Sequence, residues 1–250
     1  MSRLLDRMGA MEADLDRRGD ARRYFHATYR RTTKAVADEI ERGGFEDNPW
    51  LERWDVRFAD LYVEAFDRFE ATGRTVGPWQ VAFEQAADPS VPPLRLVLLG
   101  MNAHINYDLA QALLAVIEPE EFDDPALLAR RGRDHEHIDA VLASRVRAED
   151  KELERVEPPG SRTLLDRLLV PFNTAGTKRF LRESRRKVWH NARLLDAARR
   201  QGPAAYALRL AELERLSQQR VLDLGRPGQV VLRLARRGFG VELAPENLRT

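Results

Sequence analysis

His104 and Asp108 stand four residues apart in the string GMNAHINYDLAQALL, residues 100–114, the most apolar part of the chain. On an α-helix, side chains at that spacing share a face. An imidazole nitrogen and a carboxylate oxygen held together suit zinc and other first-row metals. The same pair is an acid–base couple in which the carboxylate orients the imidazole. It can also do no more than satisfy two buried polar groups, which are costly to leave unpaired. With His104 set at zero, a helical advance of about 100° per residue puts Asp108 near 40°, Gln111 near 340° and Ala115 near 20°. Asn102, Asn106 and Arg95 then lie about 160–200° away, so two polar stripes are expected on one buried helix.

Other helices offer partners. His26 falls on the flank of the face marked by Phe25, Tyr29, Thr32, Val36 and Ile40. Asp55 borders the Trp54–Phe58 face. In GRDHEHIDAVL, Asp134 and His135 lie within about 60° of Ile138, the centre of that apolar face. His135 and Asp139 repeat the His-x-x-x-Asp spacing. His137, His190 and Asp60 are expected at the surface. Bundles build metal sites from several inward-facing helices. The expectation is therefore that His26, His104, Asp108 and His135 hold one or two divalent ions (Zn, Mn or Fe), with Asp55 or Asp134 as base or orienter of a metal-bound water. That is a metal-dependent hydrolase, and the choice of a phosphoester substrate rests on analogy and on the basic helix described below. The alternative is a non-enzymatic bundle that binds a small ligand or a protein partner, its His and Asp groups forming a structural network. Each residue taken singly also has a plain role: a flank position, a helix cap at Asp134, a satisfied histidine.

The elements that must position these groups read as helices almost throughout, with no convincing strand pair. Leu4, Met8, Met11 and Leu15 repeat at helical spacing. Asn48 followed by Pro49 marks a helix start. Trp54, Phe58, Leu61, Ala65 and Phe69 form the stripe behind it, and a short helix near Pro78–Ala87 carries Trp79 and Phe83. The run from Leu94 to Ile117 has transmembrane length, but Arg95, His104 and Asp108 interrupt it, so it reads as a buried helix. A helix is expected to start at Asp134, and others at Leu164–Leu169, Thr174–Arg200 and Pro203–Asp223, with a last short helix after LGRPGQ. The tail GFGVELAPENLRT is expected across the surface. The fold class is all-α: one domain over residues 1–250, built around the helix at 94–117, with a minor break at 157–161.

The 250 residues carry 41 basic and 40 acidic side chains and no cysteine. That balance gives no overall field for nucleic acid or membrane, and it leaves no disulfide, thiolate metal site or cysteine nucleophile. A cytoplasmic location fits. The helix at 178–200 is basic and could meet an anionic ligand, but no aromatic residues interleave it as in single-strand binders. Gly-rich phosphate loops, Gly-x-Ser-x-Gly, His-Glu-x-x-His and Glu-x-x-His are absent. Substrate and oligomeric state are not encoded in any motif.

Four strings, FHATYRRTTKAV, WDVRFADLYVEAF, LGMNAHINYDLAQAL and RDHEHIDAVL, resemble a bacterial helical family known as domain of unknown function five-nine-nine-five. The resemblance runs from about Tyr24 to Leu195. It implies an all-helical fold and transfers no catalytic role to any residue.

Overall fold

The structure, a computed structural model, describes residues 1–156, 175–226 and 238–245, with side chains within 1–142, 183–226 and 238–245. It is all-α, with no strand among the described residues. The helices are α1 (Ser2–Arg17), α2 (Arg23–Glu41), α3 (Asn48–Thr72), α4 (Gly77–Ala86), α5 (Pro93–Ala103), α6 (Leu109–Val116), α7 (Pro125–Val156), α8 (Ala175–Gln201) and α9 (Pro203–Gly225). The break expected at 157–161, the helix expected at Leu164–Leu169 and the short helix after LGRPGQ lie outside the described residues.

Local chemistry sets the ends. Asp47, one residue before the expected cap, accepts the Trp50 amide at 3.0 Å, and Pro49 sits in the first turn, where its missing N–H costs nothing. Gly73 closes α3 at φ 68, the left-handed cap that glycine adopts without a Cβ penalty. The helix expected to begin at Asp134 begins nine residues earlier, at Pro125. Asp124 accepts the Ala126 and Leu127 amides there. An Asp-Pro start outranks a mid-sequence Asp that has helix-forming residues on both sides.

The apolar run at 94–117 is one helical path, α5 into α6, as its periodicity predicts. Between them, His104–Asp108 form a π-turn. Such i→i+5 turns widen the helix and are frequent at functional sites. α5 lies against α2, α4 and α9, and α6 lies against α3 and α8. One apolar core runs from Leu4 to Leu243.

At Gly100, a Cβ would meet the Cδ2 and Cγ of Phe25 at 2.5 Å. Phe25 cannot retreat, because its ring packs edge-on to Tyr62, Trp79 and His104. Gly100→Ala is therefore expected to destabilise by about 2 kcal/mol, since overpacking of about 1–3 kcal/mol exceeds the helix-propensity gain of about 1 kcal/mol. Urea unfolding checks this, and a more stable variant would contradict it.

The C-terminal segment departs from expectation. Residues 238–245 do not lie across the surface; Phe239, Val241 and Leu243 are buried. His190, expected to be solvated, is half-buried and lies 3.1 Å from the Leu243 carbonyl. A run of alternating apolar residues without helical period can only be buried as extended chain, and helix-based faces gave no place for it.

Candidate functional site

The residues expected to converge take separate hydrogen-bond partners. His26 is fully buried, with Nδ1 2.9 Å from the Tyr62 hydroxyl and Nε2 2.8 Å from the Met8 carbonyl. The carbonyl can only accept, so Nε2 carries the proton and Nδ1 accepts from Tyr62. Burial lowers the His26 pKa below its ordinary value. Both nitrogens are spoken for, and the residue ties α1 to α3 through α2.

Asp134 is also buried, and its two oxygens accept the Glu46 and Asp47 amides at 2.7 and 3.0 Å. It pins the loop that launches α3. His135 accepts the Trp189 indole N–H at Nδ1, 3.1 Å away. Burial, and then the charge of Arg185, hold its pKa well below the ordinary value. The second His-x-x-x-Asp spacing does not make a pair, because Asp139 is held by the Arg185 guanidinium, a planar fork better matched to a carboxylate than a neutral imidazole is. Among the described residues, no three His, Asp or Glu side chains are gathered to hold a metal ion.

His104 and Asp108 do form a couple, His104 Nδ1 lying 2.8 Å from Asp108 Oδ2. The Trp79 indole N–H donates to the same oxygen at 2.8 Å. Burial raises the Asp108 pKa; against it, two N–H groups aimed at one oxygen favour the carboxylate and place the imidazole proton on Nδ1. Burial lowers the His104 pKa, against the pull of Asp108, and keeps the ring neutral. Nε2 is left with its lone pair. It is buried and has no hydrogen-bond partner among the described residues.

The surroundings of Nε2 are aromatic. The Phe58 ring lies parallel to the imidazole, centroids 3.6 Å apart at 4°. Tyr29 meets it edge-on at 4.4 Å. Trp54 continues the stack beyond Phe58 at 5.4 Å and 21°. The Tyr29 hydroxyl, the Trp54 indole N–H and Oδ2 of Asp55 are likewise buried without a partner among the described residues. Asp55 sits one turn before Phe58 on α3 and is 4% exposed. Burial pushes its carboxyl up to about 7. Burial, and then the charge of Asp55, push the Tyr29 phenol well above its ordinary value, so the two groups feel one another. Of the expected site residues, the structure thus brings His104 and Asp108 together, sets Asp55 next to the same wall of rings, and gives His26, Asp134 and His135 other work.

Tyr29, Phe58 and Trp79 were read from sequence as core only. The signal that could have singled out Trp79 is its indole N–H, which needs an acceptor when fully buried. Spacing alone could not say that the acceptor was Asp108.

The profile of a family described as a family of unknown function, DUF5995, matches residues 1–227. The chain belongs to that family. The match reaches past both ends of the resemblance carried by the four sequence strings and takes in every residue of the site in this DUF5995 member. No curated protein and no solved structure matches it. No helix among the described residues is long and apolar enough to cross a membrane.

Proposed function

We propose that this protein binds a small planar organic molecule in its interior at His104, and that the His104–Asp108 couple handles a proton on it. One observation carries the reading: a neutral imidazole locked by Asp108 and Trp79 presents an unpartnered nitrogen among aromatic rings, with the Tyr29 hydroxyl and one unpartnered Asp55 oxygen, Oδ2, beside the same rings. Buried polar groups without partners cost about 1–3 kcal/mol each, and such a cluster is the mark of a site kept for a ligand rather than for stability. The rings supply flat apolar walls, Nε2 accepts from a hydroxyl or N–H, and Asp55 can give or take a proton near neutrality. Bound there, the donor's proton faces a base already oriented by a carboxylate, the arrangement of general-base chemistry. A cytoplasmic setting fits a chain without cysteine.

The metal-dependent hydrolase read from sequence calls on His26, His104, Asp108 and His135 as ligands; His26 has both ring nitrogens bonded, and no three His, Asp or Glu side chains are gathered for an ion among the described residues. A catalytic zinc site needs three protein ligands.

Phenol, a flat ring with a single donor, is the probe. In ligand-observed NMR the full chain is expected to bind it saturably at millimolar concentration or below. His104→Phe keeps the stack on Phe58 and removes the acceptor, and it is expected to weaken binding at least tenfold. Equal binding by both proteins, or none by the native chain, would overturn the reading. Zinc added alone is expected to leave the His104 ring signals where they are.

A further inference from the structure

The atoms left unpartnered around His104 sort by chemistry along one stack of rings. Trp50 and Trp54 lie 6.5 Å apart between centroids at 17°, Trp54 and Phe58 5.4 Å apart at 21°, and Phe58 and His104 3.6 Å apart at 4°. The first three recur every four residues on α3, and so share one buried face of it. At the imidazole end the open atom is Nε2, which can only accept in the tautomer set by Asp108. Beyond Phe58, three open atoms can only donate: the indole N–H groups of Trp50 and Trp54, and Nε of the Arg131 guanidinium, whose Cζ lies 4.5 Å from the Trp50 ring. All are buried and have no hydrogen-bond partner among the described residues.

The two open indoles are not the rule in this protein. Of its four tryptophans, Trp79 gives its N–H to Asp108 at 2.8 Å and Trp189 gives its own to His135 at 3.1 Å. A buried indole N–H ordinarily has an acceptor. Trp54, 3% exposed and with one ring between it and the imidazole, has none. A phenol at Nε2 meets one of these needs and leaves Trp54 as it was. A ligand that meets both carries a donor on one edge and an acceptor on another. The acceptor is neutral. Asp55 follows Trp54 on α3 with Oδ2 open, and two carboxylates in one site disfavour each other's charge. The Arg131 charge is already met by Asp47 and calls for no second anion.

Resting on the reading that a planar donor binds at His104, we infer that the ligand class is a hydroxyaryl carbonyl compound, its hydroxyl on His104 Nε2 and its neutral carbonyl oxygen on the Trp54 indole N–H, and that Trp54 sets this specificity. Conjugation joins the two ends of such a molecule. When its O–H bond breaks, the proton goes to Nε2 and the electron pair stays on the ligand, spread through the ring to the carbonyl oxygen. There an N–H donor already in place stabilises the developing charge. The donor at Trp54 thus eases proton transfer at His104, an advantage that a simple phenol cannot use.

Ligand-observed NMR of the full chain at pH 7 compares para-hydroxyacetophenone with para-ethylphenol, its match in size without the carbonyl, and with para-hydroxybenzoate. The ketone is expected to bind at least tenfold more tightly than either, about the worth of one hydrogen bond to a buried donor. Trp54→Phe keeps a ring in the stack and removes the N–H, and it is expected to erase the ketone's advantage over para-ethylphenol. Equal binding of the ketone and para-ethylphenol by the native chain, an advantage that survives Trp54→Phe, or a carboxylate bound as well as the ketone would overturn the inference and leave the reading of His104 standing. Binding of none of the three would overturn both. Should Trp54→Phe fail to fold, the Trp54 indole proton of the native chain takes its place as the readout. It is expected to move further downfield with the ketone than with para-ethylphenol, and equal movement would overturn the inference.

Discussion

Asp55→Asn is expected to stabilise the protein at pH 8 by up to about 4 kcal/mol and to leave it nearly unchanged at pH 4. The carboxyl is buried, with one oxygen unpartnered among the described residues. Burial raises it from 3.8 to about 7. Between those values the folded state holds a proton that the unfolded state has released, so stability falls as pH rises through that window. Above pH 7 the loss is complete, and a shift of about three units corresponds to about 4 kcal/mol at about 1.4 kcal/mol per unit. Asparagine cannot ionise and removes the slope. Urea unfolding of both proteins at pH 4, 6 and 8 gives the difference directly. A variant less stable than the native chain at pH 8 would mean that Asp55 has a compensating partner when ionised.

His26→Ala lies at the other extreme, with an expected loss of about 3–5 kcal/mol at pH 7. The substitution orphans the Tyr62 hydroxyl, at about 1–3 kcal/mol for a buried group, and removes the second bond of the Met8 carbonyl, which keeps its helical one. It also opens a hole in a fully buried place, which adds a cavity cost of a few kcal/mol for a ring-sized deletion. The same histidine shapes the acid limb. His26, His104 and His135 all have pKa values lowered chiefly by burial. A group held neutral in the fold and protonated when unfolded contributes stability above pH 6.5 that is lost as pH falls below it. Asp55, Asp60 and Asp108, raised by burial, slope the other way, so the histidine share is read from the difference between native chain and variant from pH 6.5 to 5. Loss of His26 should flatten that limb. Thermal melts of His26→Ala across the same range check both points. A variant within about 1 kcal/mol of the native chain would show that Tyr62 and Met8 find other partners.

The sequence made the scaffold legible because periodicity is a local property. Leu4, Met8 and Leu15 on α1 face inward as their spacing requires, and the interrupted apolar run at 94–117 proved to be a buried helix for the reason given by its polar residues. The two stripes on that helix are real as well. His104 and Asp108 face the aromatic rings of α2, α3 and α4, while Asn102 and Asn106 face residues 238–245. What periodicity could not supply is which partner a buried polar group takes. His26, Asp134 and His135 are buried, but a main-chain carbonyl and a tyrosine hydroxyl, two loop amides and an indole N–H are the partners they take. Those partners have no side-chain signature at a fixed spacing. The π-turn was equally invisible, since widening one turn depends on packing from both sides. Gln111, expected on the His104 stripe, instead bonds back to the Tyr107 carbonyl.

The most direct test of the site is the protonation pattern of one ring. Long-range proton–nitrogen correlation of the native chain, with His104 assigned by comparison with His104→Phe, separates protonated from unprotonated ring nitrogens. Nδ1 protonated and Nε2 bare from pH 6 to 8, with Nε2 moving on addition of phenol, is the pattern required by an imidazole locked by Asp108 and open to a donor. A proton resident on Nε2 over that range, or an Nε2 signal indifferent to phenol at saturating concentration, would contradict it.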